Sequence, residues 1–203
     1  MFLSIASFIK ACSASDPNLN QCIEDVITSA GPKFARGIPE LGIKPLDPVE
    51  LGKVVVDNPA LKLTFEDTVV TGLAGFKINT FKLFPEKGKA IVDFTANVTL
   101  KAHYIMDANL NINIKYDYKT VDGFWTVTAH KDEYKMDRAQ FKFTNLFNGN
   151  KELADTTLKF LNENWSIIMQ EIAPPAMDQV IESCLAEVKK FYSVVPAELL
   201  LAN

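Results

Sequence analysis

IVDFTANVTLKAHYIMDANLNINIKYDY, residues 91–118, alternates apolar and polar side chains almost without a break. Val92, Phe94, Ala96, Val98, Leu100, Ala102, Tyr104 and Met106 share one parity, while Asp93, Thr95, Asn97, Thr99, Lys101 and His103 share the other. Successive side chains of a strand point to opposite faces, so a period of two over this length predicts a half-buried strand. Residues 92–106 alone would span ~50 Å at about 3.3 Å per residue. A turn near Asp107 then leads to a second alternating run through Leu110, Ile112, Ile114, Tyr116 and Tyr118, which is expected to pair antiparallel with the first.

Outward from this core the β pattern continues. Asp122-Gly123 reads as a hairpin turn, followed by strands in GFWTVTAH (123–130) and AQFKFTNLF (139–147), with the polar HKDEYK between them as a solvated hairpin. Upstream, LKLTFED, TVVTGL and GFKINTFKLF give short strands, and Pro85-Glu86-Lys87-Gly88 gives a turn. From Leu153 the period changes to helical: Ala154, Leu158, Leu161, Trp165, Ile168 and Ile172 form one stripe. Pro174-Pro175 interrupts it, and Met177, Ile181, Cys184, Val188, Phe191 and Val195 resume it with shifted phase, as in a helix kinked or broken at the prolines. Taken as one kinked helix, residues 153–195 span ~60 Å at about 1.5 Å per residue. A long helix and a long sheet, each apolar on one side, are both satisfied if the sheet curls around the helix. The expected fold is α+β: a long C-terminal helix wrapped by a highly curved antiparallel sheet, an elongated tube that is either self-filled or encloses a hydrophobic tunnel.

The N-terminal region is helical and then extended. Phe2, Ile5, Ile9 and Cys12 recur at helical spacing. Asp16-Pro17 starts a second helix over residues 17–30, with Leu19, Cys22, Ile23, Val26, Ile27 and Ala30 on its apolar stripe and Gly31-Pro32 as its stop. GIPELGIKPLDPVEL, residues 37–51, carries three prolines and reads as an ordered strap across a core. MFLSIASFIKA lacks the basic start of a signal peptide and is read as mature sequence.

At 203 residues, 48% apolar and 23% charged, the chain is long enough to bury a substantial core. Its net charge of −4 argues against a nucleic-acid surface, and no apolar run approaches the roughly 20 residues of a transmembrane helix. His103 and His130 are the only histidines, and neither accompanies a nucleophile motif. Metal ligation by His130, Asp132 and Glu133 is the weaker reading beside a solvated turn. No phosphate loop, dinucleotide fingerprint or zinc spacing is present, so the chain is expected to be neither an enzyme nor a holder of a cofactor or metal. Cys12 and Cys22, ten positions apart, are open to three readings: a staple, a redox or metal pair, or an accident. Cys184 on the helical stripe reads as a buried, unreactive thiol. Asn97-Val98-Thr99 is a glycosylation acceptor of outward parity, better placed than Asn164-Trp165-Ser166.

FIKACSASDPNLNQC (8–22), GIPELGIKPLDPVEL, NLFNGNKEL with LKFLNENW (145–165) and VVPAELLL (194–201) occur in an order that resembles the insect takeout and juvenile hormone-binding protein family. The resemblance spans residues 1–203 as one domain. It implies the helix-in-sheet fold of tubular lipid-binding proteins, a disulfide between Cys12 and Cys22, and secretion. It also implies carriage of a hydrophobic small molecule, such as a fatty acid, an isoprenoid or a juvenile hormone-like lipid; the chain is expected to be a monomer. The candidate cavity lining is Phe94, Leu100, Tyr104, Tyr116, Trp125, Phe141 and Phe143 from the sheet, with Leu158, Leu161, Trp165 and Ile168 from the helix. The alternative is an interaction protein of the same fold with a self-filled or reduced cavity. Two departures stand out: HYIMDANLNINIKYDY lacks the glycines and prolines of the family's hairpin region, which predicts a reduced wall there, and Cys184 lacks the partner of the hormone binders' second disulfide.

Overall fold

In chain order the elements are β1 (Cys12–Ser13), α1 (Leu19–Ala35), β2 (Val49–Asp57), β3 (Lys62–Thr71), β4 (Lys77–Phe84), β5 (Lys89–Lys101), β6 (Ile105–Val121), β7 (Phe124–Lys142), α2 (Lys151–Glu163), α3 (Trp165–Val194), α4 (Ala197–Leu200) and β8 (Leu201–Ala202). This computed structural model describes residues 10–57, 59, 62–102, 104–143 and 146–202. The sheet runs β2-β3-β5-β6-β7, with β4 also beside β5, and all these pairings are antiparallel. Helix α3 packs against both β7 and β2, the two ends of that order. The sheet is therefore a curled half-barrel that the long C-terminal helix closes, which is the α+β arrangement expected.

The long alternating run is two antiparallel strands as expected, but the turn follows Lys101 rather than lying near Asp107. β5 ends at Lys101, and the backbone N–H of Ala102 donates to the carbonyl of Tyr104 to close the turn. Leu100 pairs with Met106 and Val98 with Ala108, so inward parity passes through the turn unchanged. The pattern could not locate the reversal. The wall is also not reduced after Tyr104, since β6 pairs along its length with β7 and from Ile105 to Asp117 with β5. HKDEYK is no hairpin but the middle of β7, half-buried on alternate residues where this end strand meets α3. On the outer face, burial works against the Asp93 carboxylate, but hydrogen bonds from Asn79, Asn113 and Asn111 outweigh it and hold its pKa below the usual range.

Both helix boundaries set at prolines move. The Asp16 carboxylate accepts from the N–H of Asn18, delaying the helix start to Leu19, and α1 then continues through Pro32 to Ala35. The C-terminal break falls at Asn164, between α2 and α3, while Pro174 and Pro175 sit inside α3. A proline removes one hydrogen bond to the carbonyl four residues before it. Those carbonyls belong to Thr28, Gln170 and Glu171, all exposed residues, while Ala35, Ala173 and Met177 are buried beside the prolines. Packing of the inward face outweighs the local loss. Gly31 lies so close to the Phe76 ring that a Cβ would stand 2.3 Å from Cζ, which fixes α1 tightly over the start of β4.

The strap forms as expected. Ile38, Leu41 and Ile43 are buried with Val195, and the Asp47 carboxylate accepts from the N–H groups of Gly72 and Ala74, tying the strap to the β3–β4 connection. Gly72 has φ of 99°, and a Cβ there would stand 2.2 Å from the Asn97 carbonyl oxygen, so only glycine fits. Cys12 lies in β1 rather than a helix, paired in parallel with Leu201 of β8; Phe2, Ile5 and Ile9 of the predicted N-terminal helix lie outside the described residues. Cys12 and Cys22 form a disulfide that joins β1 to α1. The bond closes a loop of separation 10, for which chain entropy gives about 3 kcal/mol. The double variant Cys12→Ser/Cys22→Ser is expected to lose about that much stability in urea denaturation.

Candidate functional site

A larger and a smaller cavity lie between the inner face of the curled sheet and the helices. The larger, of about 700 Å³, is lined by Val98, Leu100, Met106, Ala108 and Leu110 from the sheet and by Ile168, Ile172, Ala173, Ala176 and Val180 from α3. The smaller, of about 320 Å³, lies between α1, the lower half of the sheet and the end of α3, lined by Ile23, Ile27, Phe76, Phe94, Ile114 and Val188 among others. Leu73 borders both. Both volumes fall within the roughly 300–1,000 Å³ range of small-molecule pockets.

The expected lining residues separate into two groups. Leu100, Tyr104, Phe141, Phe143, Leu161 and Ile168 border the larger cavity, and Phe94, Tyr116 and Trp125 the smaller. Leu158 and Trp165 pack against the core and line neither cavity. The sequence reading missed the methionines. Met106, Met136, Met169 and Met177 are four of the chain's five, and all four border the larger cavity. A thioether on an unbranched side chain adapts to irregular neighbours, and clustering of the methionines on inward parity is the signal that could have found them. Leu63, Thr64 and Phe65, expected as strand but not as lining, reach the same cavity from β3.

The far end of the tube is an aromatic cluster. Tyr118 and Trp125 have ring centroids 4.6 Å apart, and Trp125 meets Tyr192 at 5.4 Å. The hydroxyls of Tyr116 and Tyr192 are hydrogen-bonded at 2.9 Å. Burial, reinforced by the neighbouring Tyr192, pushes Tyr116 well above the ordinary phenol pKa, and burial likewise raises Tyr192. Tyr118 is pushed up to about 12, first by burial. Cys184 borders the smaller cavity as a free thiol, pushed up to about 12 by burial, which keeps it protonated and inert. His130 stands with Nε2 3.2 Å from Glu182 Oε1 of α3 and 3.8 Å from Asp132, a polar seam between β7 and the helix. Expectations on His103 lie outside the described residues. Asn97 is exposed on the outer face, its side-chain oxygen accepting from Asn109.

The tyrosine cluster sets an alkaline limit. A pKa raised in the folded chain means the fold holds the proton more tightly, so this stability is intact below the unfolded phenol value of about 10 and is lost as pH rises through the folded value. Stability is expected to decline between about pH 10 and 12, followed by tyrosinate absorbance and urea midpoint. Tyr192→Phe leaves the buried Tyr116 hydroxyl without its partner and is expected to cost about 1–3 kcal/mol at neutral pH.

Comparison with known proteins gives a consistent picture. Residues 2–202 match the profile of the haemolymph juvenile hormone binding protein family. The circadian clock-controlled protein daywake of Drosophila melanogaster is 25% identical over an alignment 232 positions long, covering 93% of this chain and 85% of that protein. The daywake protein of Drosophila yakuba is 25% identical over 201, covering 80% and 76%. Among solved structures, the crystal structure of Epiphyas postvittana Takeout 1 superposes with a TM-score of 0.86 at 27% identity, covering 96% of this chain and 100% of that one.

Proposed function

The chain belongs to the haemolymph juvenile hormone binding protein family, and on that premise we propose that it is a secreted carrier, acting as one monomeric domain, that holds an elongated hydrophobic molecule inside the sheet. The observation that carries this reading is the apolar cavity of about 700 Å³ between α3 and the inner face of the sheet. No covalent step is required. Each buried CH₂ contributes roughly 0.8 kcal/mol, so a fatty acyl or isoprenoid chain gains affinity from burial alone. The four methionines favour a cargo class defined by length and girth rather than by one exact shape. The cavity residues expected from the sequence serve as walls, with Leu100, Phe141, Leu161 and Ile168 around the main body of the cargo and Phe94, Tyr116 and Trp125 toward the aromatic end.

Secretion is supported by the disulfide, because such bonds persist in oxidising compartments. In a secreted chain Asn97, exposed on the outer face and two residues before Thr99, is the glycosylation acceptor. The alternative of a self-filled tube used as an interaction scaffold is disfavoured by the two cavities, since protein interiors ordinarily leave few voids larger than a water molecule.

Filling the larger cavity from opposite walls tests the reading. Ala108→Phe on β6 and Ala176→Phe on α3 are each expected to weaken uptake of a long-chain fatty acid by about tenfold or more, equivalent to about 1.4 kcal/mol, while circular dichroism stays unchanged. Wild-type protein that repeatedly yields no lipid on organic extraction and takes up no such probe would sink the carrier reading.

A further inference from the structure

The larger cavity meets solvent at one end of the sheet, and strand register accounts for it. β3 pairs with β2 from Lys62 to Val70, but with β5 only through Val69, Val70 and Thr71. β5 stops at Lys101, opposite Val69, so among the described residues no strand covers the other side of β3 over residues 62–68. The β2–β3 hairpin thus runs on alone past the turn between β5 and β6. Toward the other end β4 takes the same edge of β5, pairing from Lys77 to Phe84, and its own free edge is occupied by α1. There Glu24 Oε1 accepts from the N–H of Phe81 at 2.7 Å and Asn20 Oδ1 from that of Leu83 at 2.9 Å. The split in the wall is confined to the end that holds the larger cavity.

Large apolar side chains surround this split. Leu63 on the hairpin, Tyr104 in the β5–β6 turn and Phe160 on α2 all border the cavity, yet they are 38%, 40% and 59% exposed. A side chain that both lines a cavity and faces water marks where that cavity opens. Behind them, the Tyr104 ring lies 4.5 Å from that of Phe143, so the exposed rim continues into the interior lining.

We infer that the gap between β3 and the β5–β6 turn, flanked by α2, is the portal through which a long apolar chain enters and leaves, with Leu63, Tyr104 and Phe160 forming its rim. The inference rests on the carrier reading and adds the route to it. A cargo sliding past this rim exchanges water for apolar contact from the first CH₂ groups inward, which lowers the barrier to passage. A charge placed on the rim has the opposite effect, because it must be desolvated or moved aside as the chain goes by.

A portal residue is recognised by its effect on rates rather than on equilibrium. Stopped-flow mixing with cis-parinaric acid, a conjugated long-chain fatty acid, measures uptake and release. Phe160→Asp is expected to slow both uptake and release by about tenfold. Leu63→Asp, on a different element, is the second variant should the first fail to fold. Ile167→Asp, 67% exposed on α3 and bordering neither cavity, is the matched control and is expected to leave both rates unchanged. Unaltered rates in the rim variants, an equal slowing in the control, or a change confined to release would each overturn the portal while leaving the carrier reading in place. Failure of the wild-type protein to take up the probe would overturn both.

Discussion

The structure depends on one requirement: the apolar stripe of α3 must be buried on two sides at once. The sheet order leaves β2 and β7 at its ends, and α3 packs against both. Neither partner is stable alone. The inner face of the sheet, with Ala96, Val98, Ala108, Leu110 and Ile112, needs a cover, and Met169, Ala173, Met177, Val180 and Ile181 of the helix need a groove. Satisfying both bends the sheet into a trough, and a trough lined partly by small residues and closed by a rod does not fill completely. Cavities are a geometric result of this closure, and the same closure sets their apolar character.

Much of the fold was legible because it rests on periodicity. Alternation through residues 91–118 gave two paired strands with the correct inward faces, down to Tyr116 and Tyr118, and the helical stripe gave the C-terminal rod. Errors came where local rules met tertiary packing. Prolines 32, 174 and 175 signal helix ends, yet each lies within a helix whose inward face is buried. The turn was placed near Asp107 rather than just after Lys101 because Leu100 and Met106 face each other across it with the same parity. HKDEYK looked like a turn because charge usually marks loops, whereas an end strand half-covered by a helix can carry charge along its length.

The walls of the candidate site were harder to read. Inward parity identifies residues that face the interior but does not distinguish packed core from cavity lining, so Leu158 and Trp165 looked equivalent to Leu161 and Ile168. The split beside β3 depends on where pairing with β5 stops, a matter of register between segments far apart in sequence. The methionine lining is a compositional clue visible only once strand parity is known. Family resemblance supplied the disulfide pairing, while the positions of walls, openings and voids required coordinates.

The α1 side chains along β4 have a consequence beyond the shape of the wall. An exposed strand edge offers a ladder of unpaired amide groups, a template on which another chain can extend the sheet into an aggregate. Glu24 and Asn20 occupy the N–H groups of Phe81 and Leu83, and Gly31 lets the helix lie close over Phe76. The disulfide then anchors that helix to β1, which pairs with the C-terminal β8. Two polar side chains on a stapled helix thus shield a β edge from polymerisation.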